Sequence, residues 1–175
     1  MQQTLHDRGR AHPSLNAGGV GCVDAGMTVN DDEELAALVR RAADAAAAFI
    51  RGDIRTYLGL LPHADDYTLM SPYGGAAHGF DHSDASLDAT AAWFQGGEAQ
   101  LEVVQTYRAG DLAVIAAIER QHGVVGGLPA QDWSLRVTLV FRRDDGEWRL
   151  VHRHADALVH TIDHAQLSVL ARGTA

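Results

Sequence analysis

The chain has 175 residues, 46% hydrophobic and 21% charged, ordinary proportions for one globular domain with a sizeable core. A formal net charge of -9 argues against nucleic acid and against an anionic membrane surface, because both attract the opposite sign. A single cysteine, Cys22, excludes an internal disulfide, no apolar run reaches bilayer length, and the segment after Arg8 and Arg10 is too poor in large apolar residues for a signal peptide; a cytoplasmic protein is expected.

Residues 1–29 carry Gly, Asn, Ser and His without periodicity and are expected to form a flexible lead-in. A helix is expected from Asn30, which can cap it with Glu33 in the capping-box position. Leu35, Leu38, Val39, Ala42, Ala46, Phe49 and Ile50 form its apolar stripe, and Gly52 stops it. "DIRTYLGLL" repeats the helical spacing through Ile54, Tyr57, Leu58 and Leu61, up to Pro62. "DYTLMS" reads as a strand and "PYGGAAHGFD" as an irregular loop. Ser83 is placed to cap a third helix, carrying Leu87, Ala91 and Phe94 and closed by Gly96 and Gly97.

The remainder is strand-like. "AQLEVVQTYRA" and "DLAVIAAIERQH" flank a turn at Gly110-Asp111, and "DWSLRVTLVFRR" alternates Trp133, Leu135, Val137, Leu139 and Phe141 against Ser134, Arg136, Thr138 and Arg142. "DDG" turns the chain into "GEWRLVHRHAD", where strict alternation puts Trp148, Leu150, His152, His154 and Asp156 on one face. A core face that ends in two histidines and an aspartate suggests a pocket wall, since a buried imidazole needs polar partners or water. Helices followed by consecutive antiparallel strands imply an α+β fold with the helices on one sheet face.

The order of elements, with "FIRGDIRTYLGLLPHADDYTLMSPYGG" and "LRVTLVFRRDDGEWRLVHRHAD", resembles the ketosteroid-isomerase-like (nuclear transport factor 2-like) superfamily, closest to its SnoaL-like branch. The resemblance covers residues 30–160, leaving 161–175 as a C-terminal tail. It implies a cone: a curved antiparallel β-sheet wrapped round N-terminal helices, with a pocket inside and dimerisation through the outer sheet face. It does not settle function, because the superfamily holds isomerases, cyclases, dehydratases and association domains. The steroid isomerase residues do not carry over. Ser71 stands where those enzymes place an aspartate base, and Ala45 and Thr138 stand at the counted positions of the two oxyanion donors.

Within this frame His152 and His154 are candidate catalytic residues. They also have the spacing of a metal-binding pair, with Glu119, His78 or Asp156 as a possible third ligand, although no second spaced pair accompanies them. Glu119 and Arg120 interrupt an apolar strand, so one of them points inward. An inward Glu119 would supply an acid or base; the alternative is an ion pair of Glu119 or Arg120 with Arg136 or Arg153 across the sheet. In the superfamily the loop after the first strand lies over the pocket mouth, which makes Tyr73 and His78 ligand contacts, and Trp133 is a candidate pocket wall. His6, His12, His63, His82, His160 and His164 read as solvated. The expected function is a small-molecule pocket with acid/base chemistry of the isomerase, cyclase or dehydratase kind, with neither cofactor nor metal. The alternatives are a non-catalytic ligand-binding or association module, and a metal site on His152 and His154. The expected dimer face combines Ser134, Arg136, Thr138 and Val140 with Arg149, Val151 and Arg153.

Overall fold

A computed structural model describes residues 29–171; Cys22, Met27, His6, His12 and the lead-in 1–28 lie outside the described residues. The first helix, α1 (Val29–Ile50), already runs at Val29, so Asn30 lies inside it and is not its cap. Its buried side is mostly alanine (Ala42, Ala45, Ala46 and Ala48, with Leu38 and Ile50), and small side chains let its backbone lie close to the sheet. The helix ends at Gly52, whose φ of 76° requires glycine; a Cβ there would also stand 2.4 Å from the Phe94 carbonyl oxygen. Asp53 then caps α2 (Ile54–Leu60) by accepting from the Thr56 N–H, and the Arg41 guanidinium ties α1 to α2 by donating twice to the Leu60 carbonyl.

After β1 (His63–Met70), Ser83 caps α3 (Asp84–Trp93) as its sequence position suggests. Gly96 and Gly97 do not close this helix. The chain passes at Phe94 directly into β2 (Phe94–Ala109), where Gly97 pairs with Gly123 of β3 (Leu112–Val125). The two strands approach so closely there that a Cβ on Gly123 would sit 2.4 Å from the Gly96 oxygen. Gln131–Asp132 forms the short β4, so Trp133 and Ser134 precede the next strand, β5 (Leu135–Asp144). A hairpin leads into β6 (Glu147–Ala157), and the exposed α4 (His164–Leu170) follows with a complete capping box between Asp163 and Gln166. Among the described residues no helix is long and apolar enough to cross a membrane.

The sheet is curved, unclosed and ordered β1-β6-β5-β3-β2, with β4 beside β3. It is mixed, not wholly antiparallel: β1 is separated from β6 by α3 and the strands β2 to β5, and pairs with it in parallel. The core lies between α1, α2 and the inner sheet face, where Phe141, Leu139, Ile115 and Leu150 are fully buried. At one end Trp148 is flanked by Arg108 and Arg143, whose guanidinium carbons lie 5.4 and 4.8 Å from its ring. Both arginines also pair with Glu34, clamping the first turns of α1 to the strands.

One irregularity changes which side chains face inward. Phe141 pairs with Leu150, but the next residue back, Val140, pairs with His152, leaving Val151 as an extra residue on β6. This bulge resets the alternation. Leu150, Arg153 and Ala155 take the inner face, whereas His152 and His154 stand opposite Val140 and Thr138 on the outer one. The shared face expected for Trp148, Leu150, His152 and His154 is therefore corrected, and Arg153 leaves the expected dimer surface for the interior.

Candidate functional site

The apolar residues of β5 form a floor between two polar groups on the strands beside it. Glu119 from β3 and Arg153 from β6 meet over that floor in a two-pronged ion pair, with Arg153 Nη1 2.7 Å from Glu119 Oε1 and Nη2 2.8 Å from Oε2. Their side chains are 5% and 18% exposed. Gln121, two residues along β3 and so on the same face, donates to Glu119 Oε2 at 2.7 Å. The choice left open between Glu119 and Arg120 is thereby made: Arg120 points outward and pairs with Glu102 on β2. Burial works against the Arg153 cation, but the charge and hydrogen bonds of Glu119 outweigh it and push the Arg153 pKa above the usual range.

Two adjoining cavities share Phe49, Gln121 and Arg153. The outer one, about 640 Å³, is walled mainly by Leu69, Tyr73, Phe94, Val125, Trp133 and Leu135. The inner one, about 40 Å³, is a small chamber in which Tyr57, Glu119, Gln121 and Arg153 supply the polar wall. A ligand body fits the first, and a water or one functional group the second.

Behind the chamber lies a buried aromatic cluster. The Tyr57 hydroxyl is 3.1 Å from His63 Nε2, and His63 stacks on Tyr67 with ring centroids 3.9 Å apart. Burial raises the Tyr57 phenol beyond its ordinary range and pushes Tyr67 up to about 12, so both stay neutral. Burial also lowers His63, to about 4, assisted by His82 and Arg153. His63 is thus a core residue, contrary to the expectation of a solvated loop position. Its Nδ1 has no partner.

Of the expected site residues, the structure brings Glu119, Tyr73 and Trp133 to the cavities. Tyr73 stands exposed at the mouth, its hydroxyl 3.5 Å from Trp93 Nε1, and Trp133 is held by donating to the Gly123 carbonyl at 3.0 Å. His78 is not among the lining residues; it is fixed by a backbone bridge to Leu69 and by a contact from Nδ1 to the Gly79 oxygen. His152 and His154 line neither cavity, because the Val151 bulge turns them outward. There His152 Nδ1 meets Thr68 Oγ1 at 2.8 Å, and His154 Nε2 lies 3.4 Å from Asp156. No cluster of three or more metal-ligating side chains occurs among the described residues. Thr138, counted as an oxyanion position, also faces outward, opposite His154. Alternation along the sequence misses Arg153, Gln121, Tyr57 and His63.

A curved sheet over helices, enclosing an apolar cavity with a charged inner end, defines a pocket-type α+β cone. The model of the SnoaL-like domain matches residues 39–159, and the chain belongs to that family. Among solved structures it is similar to a nuclear transport factor 2-like protein of unknown function from Pseudomonas putida KT2440, with 25% identity and a TM-score of 0.56 over 78% of this chain and 92% of that one. It is similar to a candidate dehydratase of the same family from Streptomyces avermitilis, with 23% identity and a TM-score of 0.53 over 76% and 100%. It also resembles the association domain of C. elegans CaMKII, with 17% identity and a TM-score of 0.54 over 74% and 100%. The last two likenesses concern the fold alone. No curated protein matches the sequence.

Removing either partner of the buried ion pair strands a charge. Glu119→Leu is expected to destabilise by roughly 3–5 kcal/mol, while Glu119→Leu combined with Arg153→Met returns to within about 1 kcal/mol of the parent or exceeds it. Urea denaturation of Glu119→Leu, Arg153→Met and the double variant measures this, and additive single effects would refute it.

His63 gives a pH dependence of definite sign. Its folded pKa, about 4, lies below the ordinary 6.5, so the native state disfavours the proton. The contribution is fully present above pH 6.5 and is lost as pH falls towards 4, by something on the order of 3 kcal/mol. The groups that set it are Tyr57 on α2, Tyr67 on β1, His82 before α3 and Arg153 on β6. Denaturation at pH 7, 5.5 and 4.5 should show this slope in the parent and a flatter one in His63→Gln.

Proposed function

We propose that this chain binds a small, largely apolar molecule in the outer cavity, with its polar end in the inner chamber. Any chemistry there is cofactor-free proton transfer of the isomerase, cyclase or dehydratase kind. The observation that carries the reading is the cavity of about 640 Å³ that reaches Gln121 and Arg153, with Glu119 in the chamber adjoining it. Burying an ion pair stabilises a fold poorly compared with apolar packing, so its position at the end of a cavity is better accounted for by a ligand than by stability. Glu119 offers the acceptor oxygens that a proton transfer needs, and Tyr73 and Trp133 offer flat surface to the ligand body. The working unit is taken as residues 30–160, in a cytoplasmic setting.

The probe for this reading is 2-ethylnaphthalene, an apolar body of suitable size. It should bind the parent and raise its melting temperature, and Leu135→Trp, which fills the outer cavity, should abolish both effects while the variant stays folded. Binding unchanged in Leu135→Trp would place the probe elsewhere and refute the proposal.

A second reading, self-association, is favoured by the outer sheet face. Val114 lies between Val140 and Tyr107 across the strands, Ala116 lies beside Thr138, and Ile118 lies beside Arg136. Ion pairs of Arg136 with Asp156 and of Arg120 with Glu102 border this apolar patch, the anatomy of an interface with a polar rim. We assign it to a homodimer, with His152 and His154 in the positions that alternation had given to Val151 and Arg153. Sedimentation should give a dimer at micromolar concentration and a monomer for Val114→Glu. A monomeric parent would remove this reading and leave the pocket untouched.

A further inference from the structure

The ion pair does not account for the far wall of the inner chamber, where Tyr57 stands with its hydroxyl against His63 Nε2. A neutral imidazole carries one N–H, and the surroundings decide which nitrogen bears it. His63 is 9% exposed, and its Nδ1 is buried without a partner. A proton on Nδ1 would orphan a donor in the core, whereas a proton on Nε2 leaves only a lone pair unmatched, the lesser of the two penalties. His63 therefore donates from Nε2 to the Tyr57 oxygen. That bond occupies a lone pair of the phenol and turns its own proton away from His63. Rotation about the phenol C–O bond lets that proton point to the chamber, of whose wall Tyr57 is a part.

We infer that Tyr57, held as a donor by His63, binds the polar head of the pocket's ligand, and that this head is an uncharged oxygen acceptor such as a carbonyl or hydroxyl oxygen. The inference rests on the small-molecule reading above and names the ligand class that the reading leaves open. Charge balance supports it from a separate direction. Glu119 and Arg153 already neutralise each other through two hydrogen bonds, so a carboxylate or ammonium head would enter a chamber of about 40 Å³ as an uncompensated charge. A neutral oxygen brings no such penalty and gains the phenol hydrogen bond. His63 touches no ligand in this arrangement. It is a positioning residue, and Tyr57 is the contact.

Three naphthalenes sharing one body separate the possibilities: 2-ethylnaphthalene, 2-acetylnaphthalene and 2-naphthoate, titrated calorimetrically into the full chain. The acetyl compound should bind about tenfold more tightly than the ethyl compound, the increment of one neutral hydrogen bond, and the carboxylate no more tightly than the ethyl compound. Tyr57→Phe should erase the acetyl preference while keeping the affinity for 2-ethylnaphthalene, and His63→Leu should reduce that preference in the same direction. Nitrogen-15 NMR of the unmodified protein reads the His63 tautomer directly and needs no variant to fold; the proton should be on Nε2. A proton on Nδ1, an acetyl preference that survives Tyr57→Phe, or tighter binding of the carboxylate overturns this inference and leaves the pocket reading standing. If none of the three binds, the pocket reading falls and this inference with it.

Discussion

A carboxylate and a guanidinium held together across an intervening strand govern what the inner face of this sheet can do. Glu119 and Arg153 belong to strands that are not neighbours; β5 runs between them, and its small and aliphatic side chains leave the space the pair occupies. Two charges placed there lose most of their hydration, and the two-pronged geometry with a third bond from Gln121 is what makes their burial tolerable. The pair in turn divides the interior. Outward of it the walls are mainly aromatic and aliphatic; inward of it lies a chamber with hydroxyl, amide and charged groups on its wall.

The helices serve this division without supplying its charges. The alanine side of α1 brings the helix backbone close to the strands, and α2, anchored through Arg41 and capped by Asp53, carries Tyr57 to the chamber wall. His63 follows at the start of β1, where burial keeps it neutral and makes it a fixed partner for the Tyr57 hydroxyl. The two faces of the sheet thus carry different chemistry. Acid–base and hydrogen-bonding groups converge inside, whereas the outer face presents aliphatic side chains, threonine and the two histidines, with paired charges at its margin.

The sequence by itself determined the class of the fold and most of its framework. Helical spacing, the Ser83 cap, the alternation of Val137, Leu139 and Phe141, and the hairpin at Asp144–Gly146 are local properties, decided by side chains within a few residues of one another. The motifs of residues 30–160 carried the family, and the inward candidates Glu119 and Trp133 were visible as residues out of character with, or at the edge of, apolar strands. What only the tertiary structure decided was which side chains meet. Strand alternation has a period of two, so a single extra residue reverses every assignment beyond it, and nothing in "RLVHRHAD" marks Val151 as that residue. Its bulge arises from pairing with β5 and moves His152 and His154 out and Arg153 in. The burial of His63 and the contact of Tyr57 with it likewise depend on how α2 and β1 settle against the sheet, a matter of packing between segments that no local pattern encodes.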